Sequence, residues 1–351
     1  MDYSNGLQIL INGARPTVKT VTMKDVAELA NVSTATVSRV FSGSDTVADK
    51  TRKKVIEAVK ELNYHPNVLA RQLRMMETKT IIVVVPDITN TFFSKVLKGI
   101  EITARRNGYR VLLGDTGNDI TIEHEYLKAL YEKHADGLVL LTARMDRNTI
   151  ESLMEKYPVV LACEYLEDSN VPTVSIDNIS AARKATEHLI KLGHKRLAHI
   201  TGPMNVILSR DRLKGYKQAM KTYGLEIDPL LITEGDFYYK TGYDLMLKLM
   251  SIDNPPTAVF AANDEMAIGA IKAIQSQGLK VPEDIAIVGF DNIEMSVIFS
   301  PSLTTIGQPM HKIGEKAMNL LLDLIRGKKL RKNQFVLDDK LIIRESCGYK
   351  K

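Results

Sequence analysis

At 351 residues the chain has room for two or three domains, and its 44% apolar content supports a sizeable core. No run reaches the ~18 uninterrupted apolar residues of a membrane span, and two cysteines, Cys163 and Cys347, with no CxxC exclude a disulfide framework and a cysteine zinc site. Of the net charge of +5, four units fall in residues 1–76, where eleven Lys and Arg face seven Asp and Glu; this reads as a polyanion-binding head on a nearly neutral body, with a solvated charged face as the plainer alternative.

Residues 1–20 carry a short apolar patch (Leu7, Ile9, Leu10, Ile11) with no basic stretch ahead of it and no small-residue cleavage site, so they read as a variable extension and not a secretory signal. Thr22 to Asp25 has the form of a capping box, and Val26, Leu29 and Ala30 then share one helical face. Asn31 and Val32 break the run. Ser33 is the next N-cap, with Val37, Val40 and Phe41 as the buried face of a second helix that Gly43 stops. A third helix begins near Asp49 with Val55, Ile56, Val59 and Leu62 inward. Lys50, Arg52, Lys53 and Lys54 crowd its start, where cations oppose the helix dipole, an arrangement suited to nearby phosphates. Two short helices around a tight turn have the spacing of a helix-turn-helix, although an ordinary three-helix bundle with a polar face fits the same pattern. In the first reading the second helix offers Thr34, Ala35, Thr36, Ser38 and Arg39 outward. Arg39 can fork onto guanine, while Ala35 and the Thr34 methyl can touch thymine methyls.

KDVAELANVSTATVSRV and LNYHPNVLARQL resemble the DNA-binding head of the LacI/GalR repressor family. The resemblance implies that Thr34, Ala35 and Arg39 read bases and that Ser33, Thr36, Ser38 and Asn67 meet the DNA backbone. It also implies a hinge helix over 67–75, with Ala70 and Leu73 in the minor groove and Leu73 wedged between base steps. A helix that short is marginal alone, so it is expected to form only against DNA and a partner subunit.

Beyond residue 79 short apolar runs alternate with amphipathic segments. The runs are 80–85, 109–114, 137–141, 159–163, 173–176, 196–200, 257–262, 285–290 and 340–344; the helical segments include 94–107, 179–192, 212–223, 265–277 and 313–326. This is the texture of buried parallel strands with helices on both faces, and nine strands suggest two lobes. Polar residues follow the strands: Asp87 and Asn90, Glu164, Asp177, Asn263 and Asp264, Asp291 and Asn292. Singly each reads as a helix cap or turn residue. Together with Phe92 and Phe93 they would line a cleft suited to a polyhydroxylated ligand, a sugar or a nucleoside.

VPDITNTFFSKVLKGIE, SRDRLKGY, PPTAVFAANDEMAIGAI and VPEDIAIVGFDN resemble the periplasmic-binding-protein-like sensor of the same family. The overall expectation is therefore a small all-α helix-turn-helix head plus an α/β two-lobed sensor. The resemblance implies that Arg212 and Asp291 bind ligand hydroxyls, that Asn263 adds an amide contact, and that Asn90, Phe92, Phe93 and Glu164 complete the pocket. Within the family the cytidine repressor branch is the nearest likeness, which makes a nucleoside the first effector to test. The expected division is an extension 1–20, a helix-turn-helix 21–66, a hinge and linker 67–79, and an effector and dimerisation domain 80–347. Its lobes would be about 80–177 with 306–331 and 178–305 with 332–347, crossing near Asp177–Asn178, Thr305–Gln308 and Lys332. No leucine heptad trails the body, so a homodimer on double-stranded operator DNA is the expected assembly. No Gly-rich phosphate loop, GxSxG or HExxH occurs and the seven histidines do not cluster; neither an enzyme nor a cofactor is expected. A transporter's solute-binding protein, the other rival, would carry an export signal and no DNA-binding head. The regulator is expected in the cytoplasm, with no membrane partner.

Overall fold

The computed structural model describes residues 21–41, 46–64 and 77–349. The chain divides into two compact units, residues 1–77 and 78–351.

In the first unit three helices pack around one small core: α1 (Met23–Leu29), α2 (Thr34–Phe41) and α3 (Asp49–Glu61). The capping box forms as the sequence predicts. Thr22 Oγ1 accepts from the Asp25 N–H, and the Asp25 carboxylate accepts from the Thr22 N–H at 2.7 Å. α1 ends because Asn31 takes φ 51°, the left-handed conformation that asparagine tolerates. There the Asn31 N–H donates to Glu28 and the Val32 N–H to Ala27, which closes the helix and turns the chain toward α2. Val26, Ala30, Val37, Val40 and Val55 fill the core. Two expectations are corrected. Leu29 and Ile56, both predicted inward, are 45% and 44% exposed. Ala27 and Ala58 take their places, because a core between such short helices has room for small side chains at the crossings.

The second unit holds two six-stranded sheets. The first sheet is built from β1 (Thr80–Val85), β2 (Arg110–Asp115), β3 (Gly137–Leu140), β4 (Val159–Ala162), β5 (Thr173–Ile176) and a late strand, Gln334–Leu337. Its helices are α4 (Thr91–Arg106), α5 (Ile120–Tyr131) and α6 (Arg147–Met154). The second sheet is built from β6 (Leu197–Thr201), β7 (Ile232–Glu234), β8 (Ala258–Ala261), β9 (Ala286–Asp291), β10 (Thr304–Gly307) and the antiparallel strand Lys340–Ile342. Its helices are α7 (Asn178–Lys191), α8 (Ile207–Thr222), α9 (Tyr239–Met250), α10 (Asp264–Ser276) and the short α11 (Met295–Ile298). Helix α12 (Met310–Ile325) returns to the first lobe and packs on α4. That crossing depends on glycine: a Cβ on Gly314 would overlap the Val96 carbonyl, and one on Gly99 the His311 carbonyl.

With the two late strands numbered β11 and β12, the orders are β2-β1-β3-β4-β5-β11 and β7-β6-β8-β9-β10-β12, and parallel pairing dominates. Both are doubly wound sheets whose strand order reverses beside the first strand of the lobe, the place where ligands bind in such folds. The chain crosses between lobes after Ile176, after Gly307 and at Asp338–Asp339. The third crossing thus lies beyond Lys332, where the sequence reading put it. β11 pairs with β5, so residues 334–337 belong to the first lobe and the expected 332–347 segment is split between lobes. β11 escaped because its alternation of exposed and half-buried residues marks an edge strand, with no continuous apolar run.

Candidate functional site

The head presents the first candidate surface. Ser33 caps α2, its Oγ accepting from the Thr36 N–H at 3.1 Å and lying 2.9 Å from Thr36 Oγ1. The same spacing that buries Val37 and Val40 leaves Ser33, Thr34, Ala35 and Arg39 exposed, with Thr36 and Ser38 half-buried. All six sequence-flagged residues therefore lie on one short capped helix, with the apolar side inward. Asn67, Ala70 and Leu73 lie outside the described residues.

The second candidate is a cleft between the lobes. Asn90, Phe92, Phe93, Glu164, Arg212, Asn263 and Asp291, the seven residues expected there, all line it. The carboxyl ends of β1, β3 and β4 supply one wall, and those of β7, β8 and β9 the other. For two of these residues the plainer reading, that of a helix cap, holds. Asn90 caps α4, accepting from the Phe92 N–H at 3.0 Å, and Asn263 caps α10, accepting from the Met266 N–H at 3.0 Å. Asp177 caps α7 and does not line the cleft, and Asp264 lies buried behind it.

The chemistry of the cleft centres on two arginine–carboxylate pairs. In the second lobe Arg212 is buried, with Nε donating to Asn178 Oδ1 at 3.0 Å and Nη1 to the Ala262 carbonyl at 2.6 Å. Its guanidinium lies 3.8 Å from the centre of the Phe290 ring, and Nη2 is 3.9 Å from Asp291 Oδ1. The Nη2 hydrogens and the second Nη1 hydrogen are thus left for a ligand. Burial pushes Asp291 up to about 6, against the pull of Arg212 and of the Gln308 amide that donates to it at 2.7 Å. Asp291 and Asn292 adopt φ 115° and 62°, strained for side-chain-bearing residues and typical of functional turns. Asp264 holds that turn, accepting from the Ile293 N–H at 2.8 Å and from Thr305 Oγ1 at 2.6 Å. In the first lobe Arg144 donates from Nη1 to Glu164 Oε2 at 3.0 Å. Burial raises Glu164 while Arg144 counters it.

Two tyrosines tie the lobes together. Tyr238 donates to Asp87 Oδ2 at 3.0 Å, and Tyr165 donates to Asp211 Oδ2 at 2.9 Å. Burial and then the Asp87 carboxylate push the Tyr238 phenol up to about 12. Sequence reasoning missed Arg144, Thr142, Phe237, Tyr238 and Gln308, all of which line the cleft. Thr142 and Arg144 follow β3, so the rule that ligands meet the carboxyl ends of strands could have found them. Phe237 and Tyr238 follow β7, a three-residue strand with no apolar run to announce it.

No group of three or more metal-ligating side chains occurs among the described residues, and no described helix is long and apolar enough to cross a membrane. Residues 22–67 match the bacterial regulatory proteins of the lacI family, and residues 78–345 match the periplasmic binding proteins and sugar binding domain of that family. The chain is 43% identical over 326 residues to the HTH-type transcriptional repressor CytR of Escherichia coli K12, covering 93% of this chain and 96% of that one. It is 39% identical to the repressor PurR of Aliivibrio fischeri strain MJ11, over 93% of this chain and 98% of the relative. Its fold superposes on the lac repressor dimer bound to operator and the anti-inducer ONPF with a TM-score of 0.86 at 30% identity, covering 94% of this chain and 99% of that one. A capped helix-turn-helix followed by a doubly wound two-lobed body is therefore shared with these regulators along almost the whole length, and the chain belongs to the lacI family of DNA-binding transcriptional regulators.

Proposed function

We propose that this regulator is a repressor that binds a pseudo-palindromic operator as a homodimer and is switched by a small polyhydroxylated effector in the interlobe cleft. The observation that carries the reading is the presence, on one chain, of an exposed recognition-type helix and a cleft where seven effector-type side chains converge. Two copies of α2 enter successive major grooves, Thr34, Ala35 and Arg39 read bases, and Ser33, Thr36, Ser38 and Asn67 hold the backbone. The 67–75 segment pairs with its partner's copy, placing Ala70 and Leu73 in the minor groove. Dimerisation is supported by exposed apolar surface on both lobes. β2 is an edge strand with Leu112 and Leu113 52% and 41% exposed, and α11 exposes Val297 and Ile298.

Of the two effector classes, a nucleoside is favoured over a sugar. Phe92 and Phe93 give an apolar wall for a base, while Arg212, Asn263 and Asp291 opposite can bond ribose hydroxyls. Effector binding shifts the lobes against each other and so alters pairing of the hinge segments and operator affinity. The test is to retain sheared host DNA on the purified protein at ~150 mM salt, which suppresses non-specific phosphate binding, with and without a nucleoside mixture. Enriched fragments sharing a pseudo-palindrome, with retention changed by nucleosides, support the reading. No enrichment in either condition refutes it.

A further inference from the structure

We propose that the end of the first lobe opposite the cleft is an auxiliary DNA surface, a patch of cations that binds phosphates of the duplex flanking the operator; this rests on the operator reading above. The patch lies at the amino-terminal edge of the first sheet. Helices α4 and α12 pack side by side and end there together, where Arg326 donates from Nη2 to Asn107 Oδ1 at 2.9 Å. Arg105 and Arg106 stand in the last turn of α4. The segment after α12, residues 326–333, reads Arg-Gly-Lys-Lys-Leu-Arg-Lys-Asn, five cations with no acid. It leads into β11, whose parallel pairing with β5 keeps it on the same edge.

Cations at a helix carboxyl end complement its dipole, and that plainer account covers Arg105 and Arg106. It does not cover Lys329, Arg331 and Lys332, which lie beyond the last turn. Nor does it hold for α5 and α6, which end at the same edge and are followed by Glu132 and Lys133 and by Glu155 and Lys156, a neutral mixture. Neutralisation within the patch is partial. Lys328 pairs with Asp323 at 2.8 Å and Arg105 with Glu101 at 3.6 Å. Arg106, Lys329 and Arg331 are exposed and have no ion-pair partner among the described residues. Lys332 lies 5.8 Å and Lys316 4.2 Å from the centre of one ring, Phe335, which concentrates charge further. Clustered cations repel one another, and a polyanion relieves that repulsion. The one apolar residue of the segment, Leu330, is half-buried, so the segment lacks the exposed apolar centre of a protein interface and suits phosphates. The chain enters this unit at Thr78, just ahead of β1, and β1 runs parallel to β11 through β3, β4 and β5. The connection from the DNA-binding head therefore arrives at the edge that carries the patch. Four strand spacings separate β1 from β11, about 19 Å, less than one helical turn of duplex.

The test uses the full-length protein and two duplexes that carry the pseudo-palindrome recovered by the selection above. One is about 20 bp and holds the two half-sites; the other is extended by about 10 bp, one helical turn, at each end. Binding of each is measured between ~50 and ~200 mM salt. With one flanking phosphate neutralised per protomer, wild type is expected to favour the longer duplex about tenfold at the lowest salt and to lose that preference at the highest, because each contact adds about 0.9 to the log–log salt slope. Arg106→Gln, Lys329→Gln and Arg331→Gln combined are expected to abolish the preference and leave affinity for the short duplex unchanged. Lys329→Arg with Arg331→Lys, which keeps the charges, is expected to retain it. No preference in wild type overturns the proposal, and so does a preference of equal size in wild type and the triple variant. An equal loss on both duplexes also overturns it, because the effect then lies in the head or the fold. In each of these cases specific binding of the short duplex by wild type leaves the operator reading standing; specific binding of neither duplex overturns both.

Discussion

Asp291→Asn is expected to make the two-lobed body more stable relative to wild type as pH rises. Burial lifts Asp291 from an ordinary 3.8 to about 6 in the folded protein. Between those values the native state holds a proton that the unfolded chain has released, so wild-type stability falls as pH rises through this window. A difference of about two pK units corresponds to about 3 kcal/mol. Asparagine imitates the protonated acid at every pH and lacks this loss. It also relieves Asp264 and Glu265, both of which the Asp291 charge pushes up after burial, so their contribution has the same sign. His199 works the other way. Buried and stacked 4.6 Å from Phe260, it is held down to about 4, and its stabilisation is lost as pH falls from about 6.5. The pH profile of wild type alone is therefore mixed, and the difference between the two proteins is the diagnostic quantity. Urea unfolding followed by far-UV circular dichroism suits a chain with no tryptophan. The stability gap, variant minus wild type, should widen by about 3 kcal/mol from pH 4 to pH 7.5. A constant gap, or one that narrows, refutes the assignment of Asp291 as a buried acid kept ionised at a stability cost.

Arg39→Ala should weaken specific operator binding by about 1–3 kcal/mol and relax preference at one base pair; unchanged specificity in a binding-site selection would count against α2 as the reading helix. Arg212→Met strips the Asn178 and Ala262 bonds and leaves Asp291 buried without its cation. It should cost about 3–5 kcal/mol in urea unfolding, and a loss below 1 kcal/mol would contradict the central placing of this guanidinium. Tyr238→Phe deletes the hydroxyl bonded to Asp87 across the cleft mouth. That bond is partly exposed and worth about 1 kcal/mol, so effector Kd should rise about threefold to tenfold; an unchanged Kd would mean that the Tyr238–Asp87 bond does not hold the lobes closed.

Some of this architecture is legible in the residues and some is not, for physical reasons. β1 and β5 match the sequence reading to the residue, because strands covered on both faces are continuous apolar runs. β7 and β11 are absent from the sequence reading because they are short, half-exposed edge strands, and β10 because, although buried, it reads Thr-Thr-Ile-Gly with no continuous apolar run. Apolar spacing placed Leu29 and Ile56 inward, yet periodicity fixes a helical face and not which of its members a small core can accommodate. The cleft was readable where a polar residue follows a recognised strand, as with Asn90, Glu164, Asn263 and Asp291. It was not readable at Phe237, whose φ of 73° places it in a backbone conformation that its sequence context does not announce. Nor was the Glu123–Arg144–Glu164 chain visible, since its members come from three separate elements that only the fold brings together.

The most direct test of the account is reciprocity. Operator affinity is measured with and without the proposed nucleoside effector, and nucleoside affinity with and without operator. Coupling of the two sites requires the same factor in both directions, expected between about 5-fold and 150-fold. A nucleoside that binds the protein while operator affinity stays the same, in a fragment that Arg39 reads specifically, would contradict the claim that the cleft governs the DNA-binding head.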